Sequence, residues 1–226
     1  MGQEKVARKL AAILYADVAG YSRLTGEDEV GTHKTLKAYL GVFTATIEQH
    51  GGRIVHFAGD AVLAEFSSVV DALTCAVSVQ RALNSRNQPL KESQKLQFRV
   101  GINLGEVIFD DDEIYGDGVN IAARLESLAD PGGIYVSQSV YDQVRNKVDL
   151  EFDFQGEQKV KNIADPVRAY KVILDSGGRD AAPPAVRPGK SRTPAMLAGG
   201  GACPGHRPGN GVVCVPPGAA AATGAG

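Results

Sequence analysis

Two short apolar runs, each tied to an aspartate, constrain this chain more than any other feature. Ala11-Ala12-Ile13-Leu14-Tyr15-Ala16 runs directly into Asp17. Arg53-Ile54-Val55-His56-Phe57-Ala58 and Ala61-Val62-Leu63-Ala64-Glu65-Phe66 flank Gly59-Asp60. Apolar runs of this length bounded by turn residues read as buried strands. The second pair of runs, joined through Gly59-Asp60, reads as a tight hairpin. The fold is therefore a sheet with one carboxylate at a strand end and another at a hairpin tip. Sheet pairing that brings the two acids together makes a natural site for hard divalent cations.

The rest of the chain alternates strands and helices. A strand over 9–18 is followed by a turn at Val18-Ala19-Gly20-Tyr21-Ser22. A helix capped by Ser22 or Thr25 carries Glu27-Asp28-Glu29 in its first turn, where acids suit the dipole. Leu36, Tyr39, Leu40, Phe43 and Ile47 continue it at helical spacing to His50, and Gly51-Gly52 stops it. After the hairpin, Ala72, Ala76, Val79 and Leu83 mark a helix over 69–83. A polar loop (84–93) leads to a long strand over 96–109 that alternates at Phe98, Val100 and Ile102. Asp110 to Glu113 is an acidic turn, 119–128 a helix ended by Asp130-Pro131-Gly132-Gly133, and 134–136 a strand. Ser137 caps a short helix to Val144, and 150–156 and 167–174 are late strands. The order β-α-β-β-α-β with appended C-terminal strands predicts an α+β sandwich of ferredoxin-like type.

Residues 1–8 read as an N-terminal extension, 9–175 as one domain with a real core, and 176–226 as a tail or linker. That last stretch holds 31 Gly, Ala or Pro among 51 positions, a composition that does not offset the entropy of ordering. It carries +4 (five basic residues, one acid), so the net −2 of the chain leaves −6 on 1–175. This balance argues against a nucleic-acid partner. Cys75 falls in an apolar helical pattern and reads as a buried small hydrophobe; Cys203 and Cys214 lie in the tail. No membrane span or signal peptide is legible. The expectation is a cytoplasmic protein, with a regulatory domain lost or fused at a terminus.

Within Gly116-Asp117-Gly118-Val119-Asn120-Ile121-Ala122-Ala123-Arg124, Asn120 and Arg124 are four apart and share a helix face. Two acids for metal plus an Asn/Arg face for an anion point to phosphoryl chemistry on a nucleotide. Four blocks, in order, resemble the catalytic domain of class III nucleotidyl cyclases of bacterial type. These are Ala16-Asp17-Val18-Ala19-Gly20-Tyr21-Ser22; Gly51-Gly52-Arg53-Ile54-Val55 through Gly59-Asp60 to Phe66; Val100-Gly101-Ile102-Asn103-Leu104-Gly105-Glu106; and Ile114-Tyr115-Gly116-Asp117-Gly118-Val119-Asn120 to Leu125. The resemblance spans residues 8–174.

The resemblance implies roles for individual residues. Asp17 and Asp60, with Val18, would hold two Mg²⁺ or Mn²⁺ ions. Ala19, Gly20 and Tyr21 would bring backbone amides to the substrate phosphates. Asn120 would orient the ribose, and Arg124 would stabilise charge on the α-phosphate. Lys161, in preference to Lys159, would reach the terminal phosphates. His56 and Glu113 occupy the base-reading positions, where adenylyl members carry lysine and aspartate and guanylyl members carry glutamate with Cys, Ser or His. This combination matches neither pattern; His still donates and Glu still accepts. The bland alternatives are turn aspartates, a surface ion pair of Arg124 with Asp117 or Glu126, and solvated lysines.

In the family, each site draws its metal aspartates from one subunit and its Asn/Arg helix, lysine and base readers from the other. The resemblance thus implies a homodimer with two symmetric sites, making cyclic AMP and pyrophosphate from ATP. GTP as substrate, dual specificity, and a degenerate nucleotide-binding regulatory dimer are the alternatives. A diguanylate-cyclase or polymerase-like palm leaves the Asn120/Arg124 helix unexplained.

Overall fold

The computed structural model describes residues 7–110, 113–158 and 166–174. Their elements, in order, are β1 (Ala7–Val18), α1 (Tyr21–Glu27), α2 (Glu29–Gln49), β2 (Arg53–Ala58), β3 (Ala61–Phe66), α3 (Val69–Asn87), β4 (Phe98–Asp110), β5 (Glu113–Tyr115), α4 (Asp117–Leu128), β6 (Ile134–Ser137), α5 (Gln138–Val144), β7 (Glu151–Gln158) and β8 (Val167–Ile173). One sheet runs β2-β3-β1-β4-β6-β8-β7, and β5 adds to β4 as a hairpin. Its first four strands are antiparallel in the order of a ferredoxin-like βαββαβ unit. The only parallel pairing described is β4 with β6. The predicted α+β fold is therefore observed, with β6, β8 and β7 as the appended strands.

Alternation along the strands assigns the two faces. Ala12, Leu14, Ala16, Val62, Ala64, Phe66, Phe98, Val100 and Ile102 pack with Leu36, Phe43, Ile47, Leu73, Ala76 and Val79 of α2 and α3. Ala11, Ile13, Leu63, Val107 and Ile114 face the other way, with Ala122 of α4. Gly101 sets how closely α4 approaches. A Cβ there would lie 2.1 Å from the Ala122 carbonyl oxygen and 2.4 Å from the Glu126 nitrogen, so only glycine admits the helix at this height. Cys75 is fully buried, and burial pushes its thiol up to about 12.

Several boundaries differ from the sequence reading. β1 starts at Ala7, inside the predicted 1–8 extension, because Ala7 and Arg8 pair with Phe109 and Ile108 at the far end of β4. The first predicted helix is two. Asp28 is extended, and its carboxylate accepts from the Gly31 N–H, so Asp28 caps α2, and neither Ser22 nor Thr25 is a cap. α1 starts from Gly20 without a side-chain cap. The helix α3 continues to Asn87 through the predicted loop, since Asn87 is buried and bonds Tyr39 and Leu96. Ser137 sits at the cap of α5, but its hydroxyl meets Ser139 rather than a helix N–H. Among the described residues no helix is long and apolar enough to cross a membrane.

Candidate active site

Asp17 is the penultimate residue of β1, on an odd position, and so faces α4. Asp60 sits at the β2–β3 turn, where Gly59 has a φ of 65° that a side chain would disfavour. Because β1 pairs with β3 from Ala12↔Phe66 to Ala16↔Val62, the strand end and the hairpin tip coincide. The Asp60 carboxyl lies beside that of Asp17. It is pushed up to about 6, first by burial, then by Asp17, against the N–H groups of Asp60 and Val18. An acid whose proton affinity is raised by burial beside a second carboxyl forms the environment that a divalent cation relieves. The pair therefore fits hard cations. Among the described residues no group of three or more His, Cys, Asp or Glu could hold a metal, and Mg²⁺ is ordinarily held by one or two carboxylates plus substrate phosphates.

Two further residues complete this cluster. Arg99 of β4 lies 3.4 Å from Asp17 Oδ2 and 2.7 Å from Glu126 Oε1. Glu126 of α4 is 3% exposed. Its carboxyl rises to about 7, mainly by burial, with Asp17 and Asp60 adding to the rise and Arg99 opposing it. Despite the short contact, Glu126 Oε1 has no hydrogen-bond partner, nor has the buried Arg99 Nε. The guanidinium opposes the acid as a charge rather than along a bonding direction.

The turn after Asp17 divides its amides. The Val18 N–H donates to Asp17 Oδ1 at 2.8 Å. The Ala19 N–H donates to the Gln97 carbonyl at 2.9 Å, so Ala19, expected to meet phosphate, has its amide engaged by the protein. Gly20 and Tyr21 open α1, whose first N–H groups lack intrahelical acceptors and meet no capping side chain.

His56 and Glu113, expected to read the base, come together within one chain. His56 Nδ1 lies 2.7 Å from Glu113 Oε2. A β-bulge between Ile54 and His56 shifts the register of β2, which re-aims the histidine. Glu113 starts β5, paired with Asp110, so it is not a free turn residue.

Asn120 and Arg124 lie together on the exposed face of α4. Glu126 pairs with Arg99, and no ion pair of Arg124 with Asp117 or Glu126 is present among the described residues. One chain thus gathers the acids and displays an exposed Asn/Arg face on α4. Lys161 and Lys159 lie outside the described residues.

Known proteins resemble this chain in sequence and fold. Residues 5–173 match the adenylate and guanylate cyclase catalytic domain. The chain is 43% identical over 171 residues to putative adenylate cyclase 3 of Rhizobium meliloti, covering 75% of this chain but 29% of that protein. The crystal structure of an adenylate/guanylate cyclase/hydrolase from Silicibacter pomeroyi superposes with a TM-score of 0.70 at 40% identity, covering 74% of this chain and 98% of that one. The adenylyl cyclase CyaB from P. aeruginosa gives a TM-score of 0.66 at 26% identity, over 75% of this chain and 96% of its own.

Proposed function

Because the chain belongs to the adenylate and guanylate cyclase catalytic domain family, we propose that it converts ATP to 3′,5′-cyclic AMP and pyrophosphate in a homodimer. The observation that carries this reading is the split site. The Asp17 and Asp60 carboxyls lie together beside Arg99 and Glu126, while Asn120 and Arg124 stand exposed on α4. A second copy, related by a two-fold axis, would bring its Asn/Arg face to these acids and receive the same in return.

Mg²⁺ or Mn²⁺ held by Asp17, Asp60 and Val18 would lower the pKa of the 3′-hydroxyl and neutralise the triphosphate. The 3′-oxygen bonds to the α-phosphorus, the bond from that phosphorus to the bridging oxygen breaks, and the hydroxyl proton passes to solvent. Arg124 offers a permanently charged, planar donor set to the α-phosphate oxygens as charge builds there. Asn120, one turn earlier, fixes the ribose. The amides of Gly20 and Tyr21 meet the outer phosphates, and Lys161 of the partner subunit adds charge there.

The His56–Glu113 pair reads the base. In its doubly protonated form His56 donates from Nδ1 to Glu113 and from Nε2 to adenine N1, and the second Glu113 oxygen accepts from the adenine amine. Guanine presents a ring N–H and O6 to the same two groups. The departure from both family patterns at these positions keeps guanylate or dual specificity as the second reading. Product analysis with ATP or GTP and Mn²⁺ tests both. Dominant cyclic AMP supports the first, dominant cyclic GMP replaces it with the second, and no cyclic product from folded dimer refutes both.

A further inference from the structure

We propose that Glu126 is a positioning residue that draws Arg99 back from Asp17, so that the Arg99–Asp17 contact stays long and the Asp17 carboxylate remains available for a cation. The proposal rests on the reading of Asp17 and Asp60 as cation ligands.

Arg99 stands between two acids. Its Nη2 donates a long hydrogen bond to Asp17 Oδ2 at 3.4 Å and lies nearer, at 2.7 Å, to Glu126 Oε1 as a charge contact. Glu126 is held at a fixed height. Its own backbone nitrogen lies 2.4 Å from where a Cβ of Gly101 would sit, two residues along β4 from Arg99, and Ser127 Oγ donates to its other oxygen at 3.2 Å. Arg99 is the adjustable partner, with a long side chain and a buried Nε without an acceptor.

Asp17 is already committed through one oxygen to the Val18 N–H, and Oδ2 faces Arg99. Were Glu126 uncharged, Asp17 would be the charged acceptor left beside Arg99. A closed Arg–carboxylate pair is a direct competitor of a divalent cation for the same oxygen. Glu126 is exposed by only 3%. A buried acid is expensive unless paired, and the Arg99 contact is the pairing that this one has.

The test is Mn²⁺ binding to the full chain without nucleotide, read as the loss of free-Mn²⁺ electron paramagnetic resonance signal. Glu126→Gln is expected to weaken Mn²⁺ about tenfold, the size of a single strong coupling. Arg99→Gln is expected to tighten it about threefold. The double variant decides the cause. If Glu126 acts through Arg99, Glu126→Gln has no effect once Arg99 is gone, and the double variant binds like Arg99→Gln. The same tenfold weakening in both backgrounds would reduce Glu126 to a nearby negative charge and overturn the proposal, as would an unchanged Glu126→Gln. The double variant removes both charges together, and circular dichroism melts verify its fold. Wild-type protein that binds no Mn²⁺ would overturn the cation reading itself, a distinct outcome.

Discussion

Replacing Glu126 by Gln should make the metal-free protein more stable at alkaline pH than the wild type is, relative to their order in acid. The carboxyl moves from its ordinary 4.5 to about 7 on folding. Between these values the folded state holds a proton that the unfolded state has released. Stability therefore falls as pH rises through this window. At about 1.4 kcal/mol per pH unit, a rise of roughly 2.5 units corresponds to about 3 kcal/mol. Gln has the same shape and no charge to desolvate, so its protein lacks this slope. Burial is the largest cause and outweighs the attraction of Arg99. Urea unfolding at fixed protein concentration in EDTA, from pH 4 to 8, reads the difference. The gap between the two proteins should move toward Gln by about 3 kcal/mol, or about 1 M urea in midpoint for a slope of 2–3 kcal/mol per molar. A gap independent of pH, or one that moves toward Glu at high pH, would show that the Arg99 pair dominates and refute the reasoning.

Gly101→Ala should destabilise the fold by at least about 1–3 kcal/mol, visible as a lower melting temperature, because the new methyl would meet the α4 backbone. Asp60→Asn should abolish cyclase activity yet raise the melting temperature in EDTA at pH 8, since a carboxyl pushed up to about 6 destabilises above that pH. Glu113→Ala should lower kcat/KM for ATP roughly 10- to 100-fold while leaving Mn²⁺ binding unchanged, measured by steady-state kinetics beside a metal titration.

The sheet was legible because its strands announce themselves twice, by apolar content and by alternation. Phe98, Val100 and Ile102 marked one face of β4, and Gly59-Asp60 marked the hairpin. The break at Asp28 was hidden because Leu24 and Leu36 both fit helical burial on either side of it; a side-chain cap at Gly31 decides the matter locally. Arg99 escaped notice as an ordinary polar alternate of a strand. Its neighbour Gly101 carried the signal, since a glycine in mid-strand indicates that another backbone comes close. Glu126 had a signal too. It interrupts an apolar stripe of Ala122, Leu125 and Ala129 that is buried throughout, and an acid there needs a partner. The sequence offered Arg124 as that partner; the structure supplies Arg99 from β4, a long-range pairing that helical spacing does not encode. His56 and Glu113 were paired only through the family resemblance, and the β2 bulge and the β5 hairpin that join them have no clear local mark.

The shared site is the central claim, and mixing two inactive variants tests it directly. Asp17→Ala and Arg124→Ala should each lack cyclase activity as homodimers. In an equimolar mixture about half the dimers are mixed, and each would hold one intact site of two, so activity should return to about a quarter of wild type. No recovery in a preparation shown to contain mixed dimers would contradict the account.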